Sequence, residues 1–278
     1  MIFSIVQNTS LFAQDPKYFS FLFLLIENIS NFHNIREQIS ILNIVSSFIQ
    51  DIYDIDFMNA FLNSECHVTL IQIVISPSKP NDSFGEYQLA GNCALNSVYR
   101  KVIEFDSQEL VSIILQTFFT NVTPEHFDKF IETFYVIIHK FPDTYSIIYK
   151  EYTPFFYSLF HNLDPNNPKV VYYIFRLLNS ILPNIPFEDP PSDIDDHLNW
   201  DELMRYFDIY RGFESSFESL FKQMLLLSAS LLKFGSPFVF RFDNHHFFER
   251  LIDFLSFDDI PFNVKRFGVK CLTNAIIF

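Results

Sequence analysis

The sequence predicts an all-α fold, a right-handed α-solenoid of about six stacked helix pairs. Three observations carry this. Apolar residues recur at helical spacing, as in the stripe Phe127, Phe130, Ile131, Phe134, Ile137, Ile138 and again in Val170, Ile174, Leu177, Leu178, Ile181. A similar small-residue signature closes successive pairs: Ala94-Leu95-Asn96-Ser97-Val98, Leu177-Leu178-Asn179-Ser180-Ile181 and Cys271-Leu272-Thr273-Asn274-Ala275-Ile276. Extended alternation is scarce, and only Phe238 to Phe242 reads as a brief strand or tight loop.

Taken in order, the periodicity predicts pairs at 17–32 and 34–50, 66–76 and 84–104, 107–121 and 124–141. Three more follow at 150–163 and 168–182, 197–211 and 214–234, 245–256 and 261–278. Start signals support these boundaries. Ser83 with Glu86, and Ser215 with Glu218, have capping-box spacing, where hydroxyl and carboxylate each take a free N–H. Pro124 and Pro168 sit at first helical positions, where no donor is lost. Asn199-Trp200-Asp201-Glu202 opens a helix with acids against the positive end of its dipole. Between the pairs, 76–83 is a short polar loop. Residues 183–196 form a longer proline-rich acidic loop without Lys or Arg, the expected hinge or flexible excursion. A hairpin of this length cannot bury its apolar face alone, so residues 1–278 are expected to stack as one domain.

Composition fits a large packed core, with 49% hydrophobic and 19% charged residues. The 37 Phe against 5 Gly follow from AT-rich coding, and cast Phe as bulky core filler. A net charge of −14 argues against nucleic-acid binding, which needs basic surface, and against adsorption to anionic membranes. The richest apolar runs, Phe19 to Ile26 and Met224 to Leu232, are about half a membrane span. Cys66, Cys93 and Cys271 are odd in number and far apart, so neither a zinc site nor a disulfide framework is expected. Together with the absence of a basic start and long apolar leader, this points to the cytoplasm or nucleus.

The stretch Phe247 to Ser256, a turn at Asp258-Asp259, and then Val264 to Ile276 resembles an armadillo repeat. Phe155 to Leu182 resembles the same pattern, turning at Asp164-Pro165-Asn166-Asn167, and 84–98 resembles the closing helix alone. The few Gly between helices lean toward the HEAT-like end of that superfamily. The resemblance implies that the closing helices line a concave groove for an extended peptide. Its groove Asn position falls on Asn274, Ser180 and Ser97, and its Trp position on Lys270, Arg176 and Cys93. With Asn at one and Trp at none, the resemblance does not extend to nuclear-localisation signals.

Basic residues are few, yet Arg100, Lys101, Lys169, Arg176, Lys265, Arg266 and Lys270 all fall on closing helices. A groove of Ser97, Arg100, Arg176, Ser180, Lys270 and Asn274 would suit an acidic or phosphorylated segment, against the simpler reading of solvated faces. The acids Glu188, Asp189, Asp193, Asp195, Asp196, Asp201 and Glu202 lack the spacing of a calcium loop and read as solvated. Trp200 at a helix start suits a hydrophobic contact with the next turn. Asp243, His245, His246 and Glu249 are the nearest approach to a metal or acid–base cluster, but successive helical residues diverge by about 100°. The expectation is therefore a non-enzymatic scaffold or adaptor without cofactor or metal, holding a protein or peptide partner on its concave face. Two other readings stay open: a regulatory subunit that positions a phosphatase or kinase, and a helical metal-dependent enzyme near His245 and His246.

Overall fold

The computed structural model describes residues 18–77, 79, 82, 85–163, 166–186, 194–212 and 217–277. Among these the chain is all-helical, without a strand. It divides into two compact units, Met1–Lys140 and Phe141–Phe278.

The first unit contains α1 (Phe19–Glu27), α2 (Ile35–Gln50), α3 (Ile55–Leu62), α4 (Glu65–Ile75), α5 (Glu86–Phe105), α6 (Gln108–Asn121) and α7 (Ile131–Lys140). Short polar side chains start these helices by accepting free N–H groups. Asn34 accepts from Arg36, Asp54 from Asp56 and Phe57, Ser64 from Cys66, and Ser107 from Leu110. At α5 the capping group is the buried Asp82, whose two oxygens take the N–H groups of Glu86 and Tyr87 at 2.8 and 2.9 Å. Of the expected Ser83–Glu86 box, Ser83 lies outside the described residues; a carboxylate beside the helix dipole holds the Glu86 N–H. Gly85 completes the approach in the left-handed region, at φ 67°.

Long α5 is the spine of this unit. It packs on α2 and α4, and α7 lies along its other side. At Gly91 a Cβ would stand 2.5 Å from Ile73 Cγ2, so the absence of a side chain is what lets α4 come this close. Phe118 of α6 stacks on Phe134 of α7 with centroids 4.7 Å apart, and meets Phe127 and Phe130 edge-on. All four are buried, the filler role expected of Phe.

The second unit repeats one order three times: two shorter helices, then a longer one. The sets are α8 (Thr144–Glu151), α9 (Thr153–His161) and α10 (Pro168–Ile181); α11 (Ile194–His197), α12 (Trp200–Gly212) and α13 (Glu218–Leu232); and α14 (Ser236–Asn244), α15 (Phe247–Ser256) and α16 (Phe262–Ile277). In the first unit α3, α4 and α5 follow the same order. The longer helices lie side by side, α10 on α13 and α13 on α16, while α12 packs on α15. Phe207, Phe221, Phe247 and Phe254 fill the space between.

The structure departs from the sequence expectation at four short helices, α3, α8, α11 and α14, which turn pairs into triplets. The segment Phe238 to Phe242 is helical within α14, not extended, because Phe238 and Phe242 are both buried at i, i+4. Pro124 starts a 3₁₀ turn, Pro124–Lys129, and the α-helix begins only at Ile131. The proline-rich loop is partly helical, with a 3₁₀ turn at Leu182–Asn184 and α11. Residues 187–193, including Glu188, Asp189 and Asp193, lie outside the described residues, as do Ser215, Ser216, Asp164 and Pro165.

Candidate partner-binding cleft

The outer face of α5 presents Gln88, Leu89, Asn92, Asn96, Arg100 and Ile103 at spacings of three and four, one continuous stripe. Facing it are His126 and Lys129 of the 3₁₀ turn and Glu132, Thr133 and Val136 of α7. Between the two walls lies a cleft of about 260 Å³ around Asn96 and Arg100. It adjoins a wider recess of about 770 Å³ around Gln88 and Leu89, and Asn92 and Lys129 line both. Leu89 and Val136 are 63% and 48% exposed, so the walls carry apolar surface beside their polar groups.

Beneath the stripe the chain is closely buried. Tyr99 is buried, and its hydroxyl meets Nε2 of buried His67 at 3.3 Å. Burial pushes the His67 imidazole from the usual 6.5 down to about 4 and drives the Tyr99 phenol well above its ordinary range. Both rings are therefore neutral and structural near pH 7.

The polar groups of the cleft are ordered among themselves. The Thr133 hydroxyl donates to Asn96 Oδ1, and Asn96 Nδ2 donates to Asn92 Oδ1 at 3.4 Å. Lys129 Nζ donates to the carbonyls of Val74 and Ile75 at 3.1 and 3.5 Å, placing its charge at the negative end of α4. Arg100 is exposed, and no carboxylate among the described residues pairs with it.

Of the six groove residues expected from sequence, Arg100 lines this cleft. Ser97 instead faces α2, enclosed between Ser46 Oγ at 2.8 Å and Gln50 Nε2 at 3.0 Å. Asn274 donates across to the Ala229 carbonyl of α13 at 2.6 Å. Both spend their polar atoms joining neighbouring helices. Ser180 is half-buried and turned back on the Arg176 carbonyl, while Arg176 lies over the Tyr172 ring at 5.6 Å. Lys270 is exposed on α16. Asn179, beside the expected Ser180, makes the cross-helix join to the Gln223 carbonyl of α13 at 3.0 Å. Asn92, Lys129 and Thr133 were not singled out by sequence, and Asn96 only as part of the closing signature, because polar residues in mid-helix look like solvated faces; the spacing of Asn92, Asn96 and Arg100 along one stripe was the available signal.

The other sequence candidates resolve into ring packing at Trp200 and His245 and a surface contact at His246. Trp200 is buried against Phe242 and stacked on His245, ring centroids 5.0 Å apart. His246 adopts φ 57° between α14 and α15 and meets Glu249 at 3.1 Å. Among the described residues, no group of three or more His, Cys, Asp or Glu is placed to hold a metal. Among them, too, no helix is long and apolar enough to cross a membrane.

No family model and no curated protein matches this chain. Among solved structures, an engineered protein determined by the Northeast Structural Genomics Consortium is similar over 92% of this chain and 96% of its own length, at 13% identity and a TM-score of 0.55. A second engineered protein from the same consortium covers 92% of this chain with 68% of its own, at 11% identity and a TM-score of 0.42. At such identity the first likeness shows the fold alone, and that fold is helical and repeat-like.

Proposed function

We propose that this chain is a non-enzymatic protein-interaction platform, an α-solenoid of the armadillo/HEAT type, whose cleft on α5 holds an extended segment of a partner protein. The observation that carries this reading is the shape and chemistry of that cleft. Its walls are two helical stripes, with exposed Leu89 and Val136 beside the amides of Asn92 and Asn96. Apolar patches take side chains, and amides take a peptide backbone. A scaffold held from below by Tyr99, His67 and the Phe118 cluster loses little freedom on binding, so less of the interaction energy is spent on ordering. The cysteines are free, Cys66 and Cys271 buried within helices, which fits a reducing cytoplasm or nucleus.

Selection of displayed random peptides on the full chain tests this. Recovered peptides are expected to lose at least about tenfold affinity for a Leu89→Glu/Val136→Glu double variant, because charge replaces apolar contact on both walls. Circular dichroism melting should be unchanged, as both positions are exposed. Peptides that bind wild type and variant alike would remove the cleft as the working surface.

A further inference from the structure

The direction of the hydrogen bonds inside the cleft says what it lacks. Thr133 gives its proton to Asn96 Oδ1, and Asn96 gives one to Asn92 Oδ1. The relay therefore runs toward Asn92, uses the carbonyl oxygen of each amide, and leaves the Asn92 NH₂ as a donor at the junction of the cleft and the recess. A little over two helical turns further along the same stripe stands Arg100, with five N–H donors and no pairing carboxylate among the described residues. Lys129 adds a second positive charge, already seated on two carbonyls. Glu132 is the one carboxylate lining the cleft and is exposed at its rim. Two cations against one anion leave the cleft locally positive, on a chain whose net charge is −14.

We infer that the partner segment carries an anionic side chain, a carboxylate or a phosphate, which docks on the Arg100 guanidinium at the cleft. This inference rests on the platform reading above and adds the chemistry that selects the segment. Charge complementarity supplies the occupant. A planar guanidinium takes two oxygens of a carboxylate or phosphate at once. A basic side chain entering the same place would meet the two positive charges of Arg100 and Lys129. Discrimination therefore arises as much from rejecting cations as from welcoming anions.

Oriented peptide libraries, seven residues long and fixed at the centre with Glu, phosphoserine or Lys, would test this on the full chain. Binding is read by fluorescence polarisation at low and high salt against wild type, Arg100→Lys and Arg100→Glu. The Glu or phosphoserine library is expected to bind at least about tenfold more tightly than the Lys library. That preference should shrink in Arg100→Lys, reverse in Arg100→Glu, and weaken with salt. Which of the two anionic libraries leads identifies the carboxylate or the phosphate as the source. A preference for Lys, or equal binding of all three unaltered by Arg100→Glu, would overturn the anion inference and leave the platform reading standing. Binding of none of the three to the wild type would overturn both.

Discussion

Helices α5 and α16 are seated alike and finished differently. Each lies against the preceding helix through a glycine: Gly91 against Ile73 of α4, and Gly268 against Leu251 and Leu255 of α15. Each is tied to another long helix by a small polar side chain, Ser97 to Ser46 of α2 and Asn274 to Ala229 of α13. Beyond that the two diverge. The outer stripe of α5 faces the 3₁₀ turn and α7, and becomes one wall of a polar cleft. The outer stripe of α16 carries Phe262 and Ile276, each 84% exposed, with Val269 between them at heptad spacing. The shared signature therefore governs only the inner half of a closing helix. What the outer half of α5 becomes is decided by the element that packs on its far side.

The comparison breaks most visibly under acid. His67 sits beneath α5, whereas the buried seat of α16 offers Leu251 and Leu255, which do not titrate. With its imidazole held down to about 4, His67 stays neutral in the folded chain while the unfolded chain takes up a proton below about 6.5. The unfolded state then binds more protons, so the stability His67 contributes is complete above pH 6.5 and is lost as pH falls toward 4. A shift of that size corresponds to about 3 kcal/mol. Amide exchange at pH 7 and pH 4.5 should show α4 and α5 losing protection well ahead of α15 and α16. A His67→Gln variant should flatten the difference. Equal loss in both regions, unaffected by that variant, would remove His67 as the cause.

The glycine seats give a smaller contrast. Gly91→Ala would push a methyl to 2.5 Å from Ile73 Cγ2 and 3.3 Å from its Cβ, and a β-branched side chain in a helix has little room to turn aside. Overpacking of this kind costs about 1–3 kcal/mol, more than the helix propensity of up to about 1 kcal/mol gained over Gly. At Gly268 the nearest atoms are the ends of Leu251 and Leu255 at 2.9–3.0 Å, which can rotate away, so the two effects nearly cancel. Thermal melts of the two alanine variants should separate by several degrees, Gly91→Ala lower. If Gly268→Ala melts as low as Gly91→Ala, the seats are equally rigid and the contrast fails.

These seats show where the chain was legible and where it was not. The long helices were readable because burial on one side imposes a 3.6-residue period over three or more turns, as in α10, where Ile174, Leu177, Leu178 and Ile181 are all fully buried. Helices of eight or nine residues supply too few periods. Alternating Phe238, Phe240 and Phe242 in α14 imitates a strand until packing shows Phe240 exposed and the other two buried. The candidate site was harder still. Arg100 drew notice as a rare cation on a closing helix. The facing residues that give it a setting, Lys129 and Thr133, depend on α7 and the turn before it lying along α5, a long-range fact that local periodicity does not contain. Ser97 and Asn274 were read as groove residues because small polar side chains on the closing helix look alike, whether they face a ligand or the neighbouring helix.

The smallest effect concerns the outer stripe of α16. Replacing Ile276 by Lys places a charge where the native side chain is 84% exposed, so folding stability should change by no more than about 0.5 kcal/mol. The same replacement at fully buried Val102 on the inner side of α5 should cost several kcal/mol, since an unpaired ammonium would replace a packed methyl pair. Chemical denaturation of the two variants, run at two protein concentrations a hundredfold apart, checks both figures. A concentration-dependent loss on Ile276→Lys would mean that the stripe on α16 is covered by a second copy in solution. The difference between α5 and α16 would then be one of partner, not of coverage: one outer face closed by the chain itself, the other closed by association.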